Sequence, residues 1–338
     1  MRVLWLGDSH GAADYWSGAL RTGLQKRFGN GGPGFVHVGY KNYRHDDVTT
    51  DVEGSWGMRP KGPATTEVTG DGTFGLGGIM LHGGDAARAS VTITDATLPP
   101  QLSWALCYRL DQPTDTISLD LTGIQTLNLA TSPEAPAGSV QHLRLASTGP
   151  QPKLVVRPTG MRPELCGAII ETDPITHPGV VLDTLGINGA RFGTPLAWNE
   201  SAWAEEVAHR DPTLAILEYG TNEASNDLVK PEAVAKTLTR LVERLRAVKP
   251  TIDCLVVGGT DRADKEDFVP KLREAFQSAA AAAGCGYWDT WSAMGGKGSI
   301  KKWSSESPPR AAKDGIHLTP RGYRELGTQL HADLMKAY

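Results

Sequence analysis

Short apolar runs alternate with stretches of helical period at both ends of the chain, and this alternation predicts a parallel sheet covered by helices on both faces. Arg2 to Leu6 form an apolar run that leads into Gly7-Asp8-Ser9-His10, and Trp16 to Phe28 then show helical spacing until Gly29. The order is strand, tight turn, helix. Towards the other end, Leu214 to Tyr219 read as a buried strand, Pro231 to Val248 as an amphipathic helix, Ile252 to Val257 as a strand and Phe268 to Ala283 as a helix stopped by Gly284. Tyr287-Trp288 add a short strand, and Pro320 to Lys336 a closing helix with proline in its favoured first turn.

The middle has a different rhythm. Between about Val48 and Glu171 the chain offers short β-rich runs, Ala89–Ile93, Gln101–Leu110, Thr116–Leu121, Ser139–Leu145 and Lys153–Arg157, separated by Gly, Pro, Thr and Asp clusters. Strands at this spacing, with no helical period among them, predict an antiparallel sandwich or barrel. The simplest organisation is an α/β domain over residues 1–47 and 176–338, interrupted by an all-β insert over 48–175, with the α/β pattern resuming near Gly179-Val180-Val181-Leu182.

Composition narrows the function. The 338 residues are 40% hydrophobic and 21% charged, an ordinary globular balance with ample core. A net charge of −4 offers no basic footprint, which argues against nucleic acid as a partner. No apolar run reaches the roughly 20 residues that a membrane span needs. Cys107, Cys166, Cys254 and Cys285 are scattered, without a C-x-x-C pair that would suggest zinc or redox chemistry. They read mostly as buried thiols, with a Cys107–Cys166 bridge open if the protein is secreted. Met1 leads directly into Val3-Leu4-Trp5-Leu6 with no signal-peptide h-region before it, so either there is no signal peptide or it has been trimmed.

Four motifs fall at strand ends, where ligands bind in a parallel sheet. Ser9, in Gly7-Asp8-Ser9-His10, is a candidate nucleophile. Asp314 and His317, in Asp314-Gly315-Ile316-His317, are candidates for the carboxylate and base that a serine hydroxyl needs before it can attack. Asn222, in Gly220-Thr221-Asn222-Glu223, can donate its amide to an oxyanion, and Gly189, in Gly186-Ile187-Asn188-Gly189-Ala190, can offer its backbone N–H at close approach. Each motif alone equally serves a turn or a helix cap. Together they supply a nucleophile, a base with its carboxylate, and an oxyanion hole made by Ser9, Gly189 and Asn222. Asp8 reads as structural, His10 as a satisfied helix-start residue, Glu223 as a hydrogen-bond acceptor behind the site. Trp56, Phe74, Trp198 and Trp203 could stack on sugars, although aromatics more often fill a core.

The set Ser9, Gly189, Asn222, His317, with Asp314 before the histidine, resembles the four blocks of the SGNH, or GDSL-like, hydrolase superfamily. That resemblance implies a flavodoxin-like three-layer α/β fold, ester hydrolysis at Ser9, and no metal or organic cofactor. His10 after the serine, where many relatives have leucine, together with the intervening β-module and Gly31-Gly32-Pro33-Gly34-Phe35, is similar to the branch containing bacterial peptidoglycan O-acetylesterases. By that resemblance the substrate is an acetylated glycan, peptidoglycan first and xylan or another polysaccharide second, and the place of action periplasmic or extracellular. Acetyl transfer to a sugar acceptor uses the same acyl-enzyme, and a non-catalytic glycan-binding role is the reading from another class.

Overall fold

A computed structural model describes residues 1–41, 43–226 and 228–337. The chain divides into two units, Met1–Leu24 with Ala64–Gly72 and Thr184–Tyr338, and Gln25–Pro63 with Thr73–Asp183.

The first unit is organised on a five-stranded sheet ordered Val181–Gly186, Arg2–Gly7, Leu214–Glu218, Asp253–Val257, Gly286–Trp288. Counted along the chain this is 2-1-3-4-5, so the strand order reverses beside Arg2–Gly7 and opens a crevice at the carboxyl ends of the strands. Val3 pairs parallel with Leu214 and Gly7 with Glu218, and the pairing continues in parallel to Asp253–Val257 and Gly286–Trp288. Val3, Leu4, Trp5, Leu6, Ala215, Ile216 and Leu217 are wholly buried. Consecutive residues of a strand point to opposite faces, so unbroken burial means that both faces are covered.

Helix Pro231–Val248 buries Val234, Leu238, Leu241, Val242 and Leu245, and helix Val269–Ala282 buries Val269, Leu272, Phe276 and Ala280, each set on one stripe of helical period. Helix Glu200–Arg210, absent from the sequence reading, is capped by Asn199, whose side chain accepts from the Ala202 N–H, and closes on Asp211 in left-handed geometry. Among the described residues no helix is long and apolar enough to cross a membrane.

The second unit is built from two antiparallel sheets. One is ordered Val140–Ser147, Leu102–Arg109, Glu164–Glu171, Met80–Gly83, Trp56–Arg59, with Gly34–Val36 also on Glu164–Glu171; the other is ordered Val48–Glu53, Arg88–Ile93, Lys153–Thr159, Thr116–Leu121, Leu127–Leu129. Thr116–Leu121 alternates strictly, with Ile117, Leu119 and Leu121 buried. These residues join Val91, Val156, Trp104, Leu106 and Ile170 from both sheets in one core.

The cysteines correct the sequence reading. All four are bridged, Cys107 to Cys166 and Cys254 to Cys285, with Cα atoms 5.1 and 4.8 Å apart. Strand register brings each pair together: Cys107 lies opposite Gly167, where a bulge follows Leu165, and Cys254 is the second residue of a strand whose neighbour starts at Gly286, directly after Cys285. Spacing along the chain carries no trace of either register.

Candidate active site

The strand Arg2–Gly7 ends in a turn made by Asp8, and Ser9 opens the short helix Ser9–Ala12. Asp8 shapes this turn as a cap: its Oδ1 accepts from the His10 N–H at 2.9 Å. The N–H of Ser9, at the first helical position, has no partner within the helix.

His317 reaches this serine across 308 residues of sequence. Its Nε2 lies 3.0 Å from Ser9 Oγ, and its Nδ1 lies 2.7 Å from Asp314 Oδ2. The other carboxylate oxygen, Asp314 Oδ1, accepts from the N–H groups of Ile316 and His317, both at 2.9 Å. Burial raises the Asp314 carboxyl, but the hydrogen bonds from the His317 ring and from these N–H groups outweigh it and hold the group below the usual carboxylate range. An ionised Asp314 can only accept, so Nδ1 carries the hydrogen and donates it to the carboxylate, which leaves Nε2 free to accept from the serine hydroxyl. The loop is pinned on both sides, Ala312 N–H to His317 O at 2.8 Å and Ala263 N–H to Gly315 O at 2.9 Å. Gly315 sits at φ +73°, and a Cβ there would come within 2.7 Å of Ala263 Cβ.

Gly186 lies directly on the serine helix: a Cβ on it would stand 2.5 Å from Ala12 N. With the Ile187 N–H donating to Gly7 O at 3.0 Å, this close approach seats the turn that carries Gly189, at φ +85°, beside Ser9–Ala12. The Asn222 amide nitrogen donates to Asp8 Oδ2 at 3.1 Å and to Ala190 O at 3.0 Å. Both N–H groups of the resting amide are therefore engaged, one with the turn below Ser9 and one with the residue after Gly189. Behind them Glu223 accepts from the N–H groups of Phe192 at 2.8 Å and Gly220 at 3.0 Å, which fastens the Gly189 and Asn222 loops to one carboxylate. Burial pushes this carboxyl up to about 7.

The structure thus joins Ser9, His317 and Asp314 by hydrogen bonds and sets Asn222 against Asp8 and Ala190, the chain neighbours of Ser9 and Gly189. His10 lies beneath them. It is buried, with Nδ1 2.9 Å from the Tyr323 hydroxyl, Nε2 3.4 Å from Thr260 Oγ1, and its ring 5.3 Å from that of His317. Burial, reinforced by the neighbouring His317, drives its pKa down to about 3, so this imidazole is neutral and bridges two hydroxyls. The aromatics do not present free stacking faces: Phe74, Trp198 and Trp203 are buried. Trp56 is half-buried, packed on Gly39, with its N–H given to Glu53 O.

One feature of the site has no signal in the sequence. Glu218, the last residue of its strand, is buried beside the equally buried Asp8. Its Oε2 accepts from the Asp8 N–H at 3.3 Å and occupies the space left by two glycines; a Cβ on Gly7 would lie 2.5 Å from it and one on Gly11 3.1 Å. Burial and the neighbouring Asp8 carboxyl hold Glu218 well above its ordinary value of 4.5, while burial and the charge of Glu223 push Asp8 up to about 8. The folded protein therefore retains at Glu218 a proton that the unfolded chain releases above pH 4.5, so stability from this group falls as pH rises beyond that point. Glu218→Gln, which keeps the shape and removes the ionisation, is expected to lose less stability than the parent between about pH 5 and pH 8. Urea midpoints at the two pH values check this, and equal losses in both proteins would count against a protonated Glu218.

Residues 158–325 match the model of the GDSL-like lipase/acylhydrolase family. The matched stretch holds Gly189, Asn222, Asp314 and His317 and begins beyond Ser9. A solved peptidoglycan O-acetylesterase is similar with a TM-score of 0.81 and 27% identity, over 100% of this chain and 91% of that one. A GDSL-like lipase from Bacteroides thetaiotaomicron has a TM-score of 0.36 and 17% identity, over 47% of this chain and 77% of its own. For a family two carbohydrate esterase from Cellvibrio japonicus the values are 0.34 and 10%, over 86% and 98%. No curated protein matches by sequence.

Proposed function

The chain carries a GDSL-like lipase/acylhydrolase domain and is a carboxylic ester hydrolase, and from that premise we propose that it removes O-acetyl groups from a glycan, peptidoglycan first, through an acetyl-enzyme on Ser9. The observation that carries this reading is the chain of hydrogen bonds from Ser9 Oγ through the His317 ring to Asp314, at 3.0 and 2.7 Å. Similarity over the whole chain to a peptidoglycan O-acetylesterase supports the choice of polymer.

His317 Nε2 takes the proton of Ser9 as Oγ attacks the acetyl carbonyl, and Asp314 stabilises the imidazolium that forms. The backbone N–H groups of Ser9 and Gly189 and the amide of Asn222 receive the oxyanion. An oxyanion is a stronger acceptor than a peptide carbonyl, so it draws one Asn222 N–H away from Ala190 O while Asp8 keeps the other in place. Collapse of the tetrahedral species breaks the ester bond, and His317 returns the proton to the departing sugar hydroxyl. Water, deprotonated by the same histidine, then releases acetate and restores Ser9. Each step uses groups of this chain. Asn222→Ala is expected to lower kcat on a small acetyl ester by about 10² to 10³, and a variant within about threefold of the parent would remove Asn222 from the oxyanion hole.

In this reading residues 1–47 and 176–338 form a flavodoxin-like three-layer hydrolase domain, and residues 48–175 an inserted β-sandwich. The 2-1-3-4-5 strand order and the shared core of the two antiparallel sheets support an α/β part and a β part, although Gln25–Pro63 and Thr73–Asp183 group with the sandwich and Ala64–Gly72 with the parallel sheet. Two disulfides suit an oxidising compartment and hence action outside the cytoplasm, where an acetylated wall polymer is found. Acetate released from O-acetylated peptidoglycan and from acetylated xylan, compared at equal ester content, tests the substrate; faster release from xylan would replace the first polymer by the second.

A further inference from the structure

A cavity of about 550 Å³ opens beside the Asn222 loop, with Arg191, Glu223, Leu196, Val234 and Arg240 among its walls. It adjoins the candidate active site through two residues. Arg191 stands two positions after Gly189 and donates from Nε to the Asn222 carbonyl at 3.2 Å, and Glu223 follows Asn222 directly. The charges on its walls are unbalanced. Glu223 is the acid among the lining residues, and both its oxygens are spent inward on the N–H groups of Phe192 and Gly220. Arg191 gives its guanidinium to the neutral Asn222 carbonyl and Ser225 hydroxyl, at 3.2 and 3.4 Å, and neither it nor Arg240 has an ion-pair partner among the described residues. Two guanidinium groups thus face a cavity whose own carboxylate is turned away, with aliphatic walls at Leu196, Val229 and Val234 between them.

Arg191 is within electrostatic reach of Glu223, yet neither guanidinium is hydrogen-bonded to a carboxylate among the described residues, and each can therefore bind one from a ligand, since its paired N–H donors match the two oxygens. Resting on the esterase reading above, we propose that this cavity is a subsite that binds a carboxylate group carried by the acetylated glycan, with Arg191 and Arg240 as its cationic walls. The carboxylate belongs either to a peptide branch or to the sugar itself. Either way, a strand whose acid sits in this cavity presents its ester next to the Asn222 loop, and an acidic polymer is bound in preference to a neutral one.

The test uses the full chain with Ser9→Ala, so that bound polymer is not turned over, and compares it with the same protein also carrying Arg240→Gln; the side chain of Arg240 is exposed, so folding is expected to tolerate the change. Sedimentation with insoluble O-acetylated peptidoglycan is expected to show about tenfold weaker binding for the Arg240→Gln protein, the scale of one charge-assisted hydrogen bond. Arg240→Lys should recover part of it, and acetylated xylan free of uronic acid side groups, which is neutral, should show no difference. Loss on peptide-bearing peptidoglycan, whose sugar carboxyl groups are tied up as amides, assigns the carboxylate to the peptide; a loss that becomes larger once amidase has cut those amides and freed the carboxyls assigns it to the sugar. Equal binding of both proteins to peptidoglycan, or an equal loss on xylan, overturns the proposal. Hydrolysis of 4-nitrophenyl acetate by the parent is the separate check on the esterase reading. If it is absent while the binding contrast holds, the esterase reading fails and the subsite remains.

Discussion

Ser9→Ala is expected to lower hydrolysis of 4-nitrophenyl acetate by at least about 10³-fold without unfolding the protein. In the proposed mechanism the hydroxyl is the atom that becomes acylated, so the loss is large: with Oγ gone, the His317 and Asp314 pair has no nucleophile to deprotonate, and only background attack by water is left. The fold should not notice. Ser9 is the first residue of a short helix, it is only partly buried, and among the described residues its Oγ hydrogen-bonds to His317 alone. The Asp8 cap and the burial of His10, which do support the turn, survive the change. Initial rates together with a thermal melt separate the two effects, and a melt unchanged beside activity within about threefold of the parent would overturn the assignment of Ser9 as nucleophile.

The second large effect concerns stability. Arg21→Met is expected to cost about 3 to 5 kcal/mol of unfolding free energy. Asp14 and Arg21 are both wholly buried and joined by two bonds, NH1 to Oδ1 at 2.9 Å and NH2 to Oδ2 at 2.6 Å. Ser17 Oγ and Thr184 Oγ1 also donate to Asp14 Oδ1, each at 2.8 Å. A methionine fills most of the arginine's volume but leaves a buried carboxylate without its cation, so the loss exceeds what packing alone predicts. Asp14 lies between the helix that carries Ser9 and the helix Trp16–Phe28, at a φ of +54° that a non-glycine residue adopts only when its surroundings hold it there. Activity should therefore fall together with stability. Urea unfolding measures the cost, and a value under about 1 kcal/mol would mean that water or another group compensates the acid.

The strand-turn-helix opening and the later parallel strands were legible because buried strands of a parallel sheet read as unbroken apolar runs, and their ends are where ligand-facing motifs collect. Helix Glu200–Arg210 was not, because the stripe it buries includes Glu206 and Arg210 beside Trp203 and Val207, and charged residues at those positions hide the period. Strand Glu164–Glu171 carries Gly167 at a bulge in its middle, which reads as a turn although the strand is paired on both sides. Asp8 and Glu223 acted as the sequence suggested, as turn-former and acceptor. Glu218 was invisible for a different reason: a glutamate at a strand end reads as solvated, and only the missing Cβ atoms of Gly7 and Gly11, one of them on the next element, leave room for it inside. The disulfides and the burial of Phe74, Trp198 and Trp203 depend likewise on which strands become neighbours, information that local pattern does not hold.

The position of Arg2–Gly7 within its sheet also governs when this site can come into being. Its partner Leu214–Glu218 lies some 210 residues further on, judged by the Asp8 to Glu218 contact, and His317 lies 308 residues beyond Ser9. A ribosome adding about 5 to 20 residues each second leaves Val3, Leu4, Trp5 and Leu6 without that partner for roughly ten seconds or more. During synthesis the segment is a sticky, solvent-facing strand, a natural client for a chaperone. Closing a loop of that size is also slow when the whole chain refolds from denaturant. Esterase activity should consequently lag behind the recovery of secondary structure, appearing only once the two ends of the polypeptide have met.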